Sequence, residues 1–222
     1  MGSQILLSHV INHDTPSYGN RDRFSIVEIS EISKGATANS SKWSFSTNHI
    51  GTHIDMPKHF FENGQTITDV PLNFWFSDKI QLIDVPCLSA KLIESFHITD
   101  VIDLDTEILL IRTGYERFRK TDKYWSDNPG LSADFGKWLR EKRPKIRIIG
   151  FDFISLTSWK YRIEGRKSHE AFLNPLGINN PVMVIEDMSL VNVTTSICKV
   201  IVAPIFIDNA NGGPVTVYAF VT

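Results

Sequence analysis

Residues 146–153 read Ile-Arg-Ile-Ile-Gly-Phe-Asp-Phe, a nearly continuous apolar run of strand length. A strand of that composition must be covered on both faces, because a half-exposed strand alternates polar with apolar residues. Just before it, Ala133, Phe135, Trp138 and Leu139 recur at helical spacing behind Ser132, an N-cap residue type. A helix followed by a doubly covered strand predicts an α/β architecture. Residues 4–11, 24–32, 41–48, 80–85, 107–112, 181–185, 197–203 and 215–221 are short apolar or alternating segments, most of them bounded by turn residues, and predict further strands, some antiparallel. Residues 89–96, with Ser89 as cap, and a segment opening at Ser168 predict two more helices. Residues 115–129 are polar and aromatic-rich, and are expected to fold over a site as a lid.

A length of 222 residues fits one domain, residues 1–222, with a substantial core. Lys and Arg number 23 against 25 Asp and Glu, so no basic excess exists to neutralise nucleic-acid phosphates or anionic lipid. The two cysteines, Cys87 and Cys198, lie far apart and predict reduced thiols, buried as small hydrophobes. No apolar stretch approaches the roughly 20 residues of a membrane span. Ile5-Leu6-Leu7 is too short for a signal-peptide core, and together these features predict a cytoplasmic location.

Three of the seven histidines fall within His49-Ile-Gly-Thr-His53-Ile-Asp55-Met-Pro-Lys-His59-Phe60. Gly51 and Pro57 argue against a helix, since Gly and internal Pro cost about 1 and 3 kcal/mol relative to Ala. The β-branched Thr52 and Ile54 favour an extended segment, in which His49, His53, Asp55 and His59 project to one side. Imidazoles and a carboxylate converging there suit a divalent ion such as Zn²⁺ or Mn²⁺. The alternative is a histidine-rich loop held by backbone hydrogen bonds, but no packing rule calls for this set of residues. Glu186 ends the apolar run 181–185, where a carboxylate is costly unless paired, protonated or bound to a cation. His169, taken alone, reads as an ordinary surface histidine. Tyr18, in the turn-rich stretch 12–20, is either an aromatic on the core edge or one wall of a ligand pocket.

The unbroken stretch His49 to Phe60 resembles the H-x-G-T-H-x-D-x-P-x-H-F signature of the bacterial kynurenine formamidase and cyclase family of metal-dependent hydrolases, which includes isatin hydrolases. Weaker matches are Pro16-Ser-Tyr18, Leu110-Ile-Arg-Thr-Gly114, Pro129-Gly-Leu-Ser132 with Trp138-Leu139, Gly150-Phe-Asp152 with Ser155, and Val184-Ile-Glu186. The resemblance implies a swivelling β/β/α domain with a mixed sheet, assembled as a homodimer or larger homo-oligomer. It implies that His49, His53 and Asp55 ligate one metal, that Asp55 and Glu186 are shared with a second, and that His169 completes the pair. His59 would be the general acid and base, and Tyr18 would contact a small-molecule substrate. Family members often carry Trp where Tyr18 stands, and P-x-R where this chain has Pro214-Val-Thr216. The implied activity is hydrolysis of an amide, an aryl formamide or related cyclic amide, by water activated on one or two Zn²⁺ or Mn²⁺ ions. A cyclase or lactone hydrolase on the same ions, and a metal-binding protein without turnover, are the alternatives.

Overall fold

The computed structural model describes residues 3–98 and 101–222. Thirteen strands are present among them: β1 Ser3–Leu6, β2 Phe24–Ser30, β3 Ser40–Phe45, β4 His53–Asp55, β5 Phe76–Ser77, β6 Ile80–Asp84, β7 Leu92–Ile93, β8 Ile108–Arg112, β9 Gly130–Leu131, β10 Ile148–Phe151, β11 Met183–Glu186, β12 Ile197–Pro204 and β13 Gly212–Val221. The α-helices are α1 Lys123–Ser126, α2 Ala133–Lys142 and α3 Arg162–Leu173. Nine strands form one mixed sheet in the order β5-β12-β13-β4-β11-β10-β8-β6, with β1 paired to β13. Strands β6, β8, β10 and β11 run parallel, whereas β4, β13 and β12 join by antiparallel pairing. β12 also approaches β6, curling the sheet towards closure.

β10 lies inside the parallel half and is buried at every position, as its composition requires. Its side chains alternate between two cores. Ile149 and Phe151 pack with Phe135, Leu139 and Phe172 under α2 and α3, while Ile148 packs with Ile54, Ile185, Val200 and Val217 on the opposite face. The Ser132 hydroxyl accepts the Phe135 N–H at 3.1 Å and caps α2 as predicted.

β4 is the seam between the parallel and antiparallel halves. Ile54 points into the helix-free core, so the period of two turns His53 and Asp55 towards the helix-bearing face. The register sets Glu186 of β11 directly opposite His53, and Gly212 and Pro214 of β13 opposite Asp55 and His53.

Several expectations are corrected. Residues 89–96 form β7 and the start of a 3-10 turn, Ser95–His97, because Leu92 and Ile93 pair with Gly130 and Leu131. α3 begins at Arg162 rather than at Ser168, which puts His169 in its C-terminal half instead of its first turn. Residues 115–129 are no lid: Tyr115 and Tyr124 are buried in the helix-side core. The histidine-rich stretch is extended only over β4; Gly51, at φ 67°, bends the chain before it, and Pro57–His59 is a 3-10 turn after it. β1 is shorter than predicted and Cys198 is exposed, whereas Cys87 is buried as expected.

Candidate metal centre

The two loops flanking β4 and the two neighbouring elements bring all the nominated polar residues together. Asp55 and Glu186 are almost wholly buried, and so are His53 and His169. The His53 Nε2 atom lies 3.5 Å from Asp55 Oδ1 and 3.4 Å from Glu186 Oε2. The His169 Nε2 atom, reaching in from α3, lies 3.5 Å from Asp55 Oδ2 and 3.7 Å from Glu186 Oε1. His49 closes the ring with Nδ1 at 2.7 Å from Asp55 Oδ1.

Second contacts fix which imidazole nitrogen faces the carboxylates. His53 Nδ1 donates to the Gly51 carbonyl at 2.8 Å, and His169 Nδ1 to the Gly165 carbonyl at 2.9 Å. Each ring therefore presents Nε2 inward. Two inward nitrogens facing two anions demand positive charge, either as protons on the rings or as a cation among them. Without a metal the protons supply it. Burial alone would lower His53, but Glu186 and Asp55 outweigh it and push the ring up to about 9. The same opposition leaves His169 raised to about 10. Burial would raise both carboxyls, yet the surrounding histidines hold Asp55 well below its ordinary range and lower Glu186. Leu156 N–H and Ser155 Oγ donate to Glu186 Oε1 at 2.6 and 3.2 Å, fixing its orientation.

The donor set fits a divalent metal. Ligand-type atoms of His53, Asp55 and Glu186 lie within 4.8 Å of one another, and so do those of His49, Asp55 and His59. Asp55 belongs to both groups. His59 stacks on His49 with ring centroids 4.0 Å apart, and burial lowers its pKa against the pull of Asp55, so its ring is neutral near pH 7.

These residues line a cavity of about 280 Å³ together with Pro16, Tyr18, Ile50, Phe60 and Ile154 and the charged pair Arg21 and Asp22. Tyr18 is thus a pocket wall, half-buried, with its ring edge-on to Trp159 at 5.1 Å. Phe60 stacks on His169 at 4.5 Å. Trp75 is buried in the helix-free core and Phe61 packs against the helix-side core, so neither lines the cavity.

Sequence reasoning missed the residues behind the site. Asp187, buried at φ 53°, accepts from Tyr124 Oη at 2.6 Å and from Arg119 Nε and Nη2 at 2.9 and 2.7 Å. Its carbonyl accepts the Thr52 hydroxyl at 2.5 Å, tying the end of β11 to the start of β4. Arg119 carries no local pattern that marks it, whereas Asp187, adjoining Glu186, is a second carboxylate at the end of an apolar run.

The model of the family described as "Putative cyclase" matches residues 5–158, more than half of the chain. The chain belongs to this family. The match includes His49, His53, Asp55 and His59 and ends before His169 and Glu186. A kynurenine formamidase of Bacillus thuringiensis subsp. konkukian is 28% identical over 212 residues, 94% of this chain and 93% of the relative. Cyclase-like protein 3 of Oryza sativa subsp. japonica is 26% identical over 226 residues, 96% of this chain and 78% of the relative. Among solved structures, isatin hydrolase A from Labrenzia aggregata superposes with a TM-score of 0.82 at 20% identity, covering 99% of this chain and 94% of that one. A "predicted metal-dependent hydrolase" from Bacillus stearothermophilus reaches 0.75 at 20% identity, covering 99% and 98%. Both share the cyclase-family fold with this chain.

Proposed function

We propose that this cyclase-family protein is a metal-dependent hydrolase of amide bonds, acting on an aryl formamide such as N-formylkynurenine or on a related cyclic amide. The observation that carries the reading is the pair of buried carboxylates, Asp55 and Glu186, faced by oriented imidazole nitrogens at the floor of an aromatic-walled cavity. The names of the similar formamidases and isatin hydrolases support it.

His49, His53, Asp55, His169 and Glu186 would hold the metal, and Asp55 belongs to both groups of ligand-type atoms. Three nitrogens and two carboxylates suit Zn²⁺ and Mn²⁺ alike. Bound there, such an ion supplies charge that polarises a carbonyl and acidifies water. The remaining work falls to the chain. Phe60, Ile154 and Tyr18 exclude bulk water and hold a flat acyl-aryl group against the floor. His59, neutral and at the cavity edge, takes a proton from the attacking water and returns it to the leaving nitrogen.

His59 also stands within ligand reach of Asp55, so its role has a direct test. His59→Ala is expected to keep metal content and to lose turnover of an aryl formamide by roughly 10²–10⁴-fold, the usual range for a general acid and base. Loss of metal in that variant would make His59 a ligand, and unchanged turnover would remove it from the mechanism.

A further inference from the structure

His49 differs from His53 and His169 in the nitrogen it turns inward. Those two face the carboxylates through Nε2, whereas His49 faces Asp55 Oδ1 through Nδ1 at 2.7 Å. It is also the least enclosed of the three, its side chain 17% exposed against 5% and 6%. Among the described residues, no backbone carbonyl tethers its ring as Gly51 and Gly165 tether the others. Its remaining nitrogen, Nε2, lies 3.4 Å from Asn211 Oδ1, in the turn that leads into β13.

Which amide atom His49 meets follows from the neighbours. The Gly212 carbonyl can only accept, so the Asn48 atom 2.8 Å from it is the amide nitrogen, Nδ2. That nitrogen also lies 2.7 Å from the Asn211 carboxamide, which must therefore present its oxygen. Facing an oxygen, His49 Nε2 carries the N–H, and Nδ1 keeps its lone pair for a cation. The turn that carries Asn211 is placed independently of His49. The Asn211 carbonyl accepts the Met56 N–H at 3.0 Å, and the Ala210 carbonyl accepts the Ile67 N–H at 3.1 Å. Gly212 admits the close approach: a Cβ there would meet the Ile54 carbonyl oxygen at 2.4 Å and His49 Cε1 at 2.9 Å.

We propose that Asn211, itself oriented by Asn48 and the Gly212 carbonyl, is a positioning residue that fixes His49 as an Nδ1 ligand, in a centre whose other two imidazoles bind through Nε2. The role rests on the cluster being a metal centre. A partner on the second nitrogen of a ligating histidine sets both its tautomer and its ring orientation. Without one, a partly exposed imidazole can rotate about its Cβ–Cγ bond, which would set Cδ2 in place of Nδ1 opposite Asp55. The same hold sets the ring plane on which His59 stacks at 4.0 Å, so Asn211 also places the proposed general acid and base.

Long-range proton–nitrogen correlation spectra of isotope-labelled, Zn²⁺-loaded protein read the bound nitrogen of each ring directly, with the His49 ring assigned through its own Cβ. Wild type is expected to show His49 bound through Nδ1 with a proton on Nε2, beside two rings bound through Nε2. Asn211→Leu is of similar size and lacks the acceptor. In it the Nδ1-bound signature of His49 is expected to disappear, and Zn²⁺ affinity, measured by chelator competition, to fall roughly 10–100-fold. Asn211→Asp keeps the oxygen and is expected to keep the signature without weaker binding. A signature or an affinity that survives in Asn211→Leu overturns the role. Loss of the signature in Asn211→Asp as well overturns it too, by making Asn211 a structural residue only. Wild type that takes up no Zn²⁺ removes the metal-centre reading and this role together, whereas Zn²⁺ uptake with His49 bound through Nε2 removes the role alone.

Discussion

His53 and His169 carry the site's chemistry because each is tethered through Nδ1 to a backbone carbonyl and turned towards two carboxylates. In metal-free protein both rings are raised above the ordinary imidazole value, to about 9 and about 10. A raised histidine stabilises the fold fully below its unfolded value, near 6.5; the contribution declines above that and is gone beyond the folded value. Chelated protein is therefore expected to melt at lower temperature at pH 9.5 than at pH 6.5. Metal-loaded protein should lack this loss, since its rings are already deprotonated as ligands. Melting curves of both forms across that window check it, and parallel curves would show that the carboxylates do not hold those protons. The sequence made part of this legible. His49, His53 and Asp55 could be grouped from spacing alone, whereas nothing near His169 announced its partners, which lie more than a hundred residues away on β4 or across the sheet on β11.

Strands and helices were legible where one pattern dominated. β10, α2, β8 and β11 follow their apolar periods, and the Ser132 cap forms as expected. The errors have local causes. In residues 89–96 a helical spacing was overridden by pairing with β9, a contact invisible in the sequence. The true start of α3 was obscured because Gly165 interrupts its first turns. That glycine is explained by packing: a Cβ there would meet the Thr157 side chain at 2.3 Å. Thr157 Oγ1 in turn lies 3.2 Å from His169 Nδ1. Replacing a helical Gly by Ala normally gains about 1 kcal/mol, but here the clash wins. Gly165→Ala is expected to destabilise the protein by about 1–3 kcal/mol, as overpacking does, and to weaken metal binding by displacing His169. Denaturant midpoints and metal titration measure both; a stabilised variant with unchanged affinity would show that Thr157 yields freely.

The nine-stranded sheet gives β4 its position, with a parallel half on one side and an antiparallel half on the other, so the site is built where the two meet. Outside that sheet, β2 and β3 form their own two-stranded ribbon, which exposes Trp43 at 66%, Ile29 at 65% and Val27 at 54%. An apolar ribbon of that kind suits burial against a second copy, and we propose it as the contact of a homo-oligomer. Sedimentation should give a dimer or larger species that Trp43→Asp/Ile29→Asp dissociates; a monomeric wild type would contradict the assembly. Among the described residues no helix is long and apolar enough to cross a membrane. Everything functional in this description depends on the buried carboxylates being a metal site. Elemental mass spectrometry of the wild type and of His53→Ala, purified without added metal, tests that most directly. The account predicts close to two equivalents of Zn²⁺ or Mn²⁺ per wild-type chain, lost in the variant. Wild-type protein that stays metal-free after incubation with either ion would contradict it.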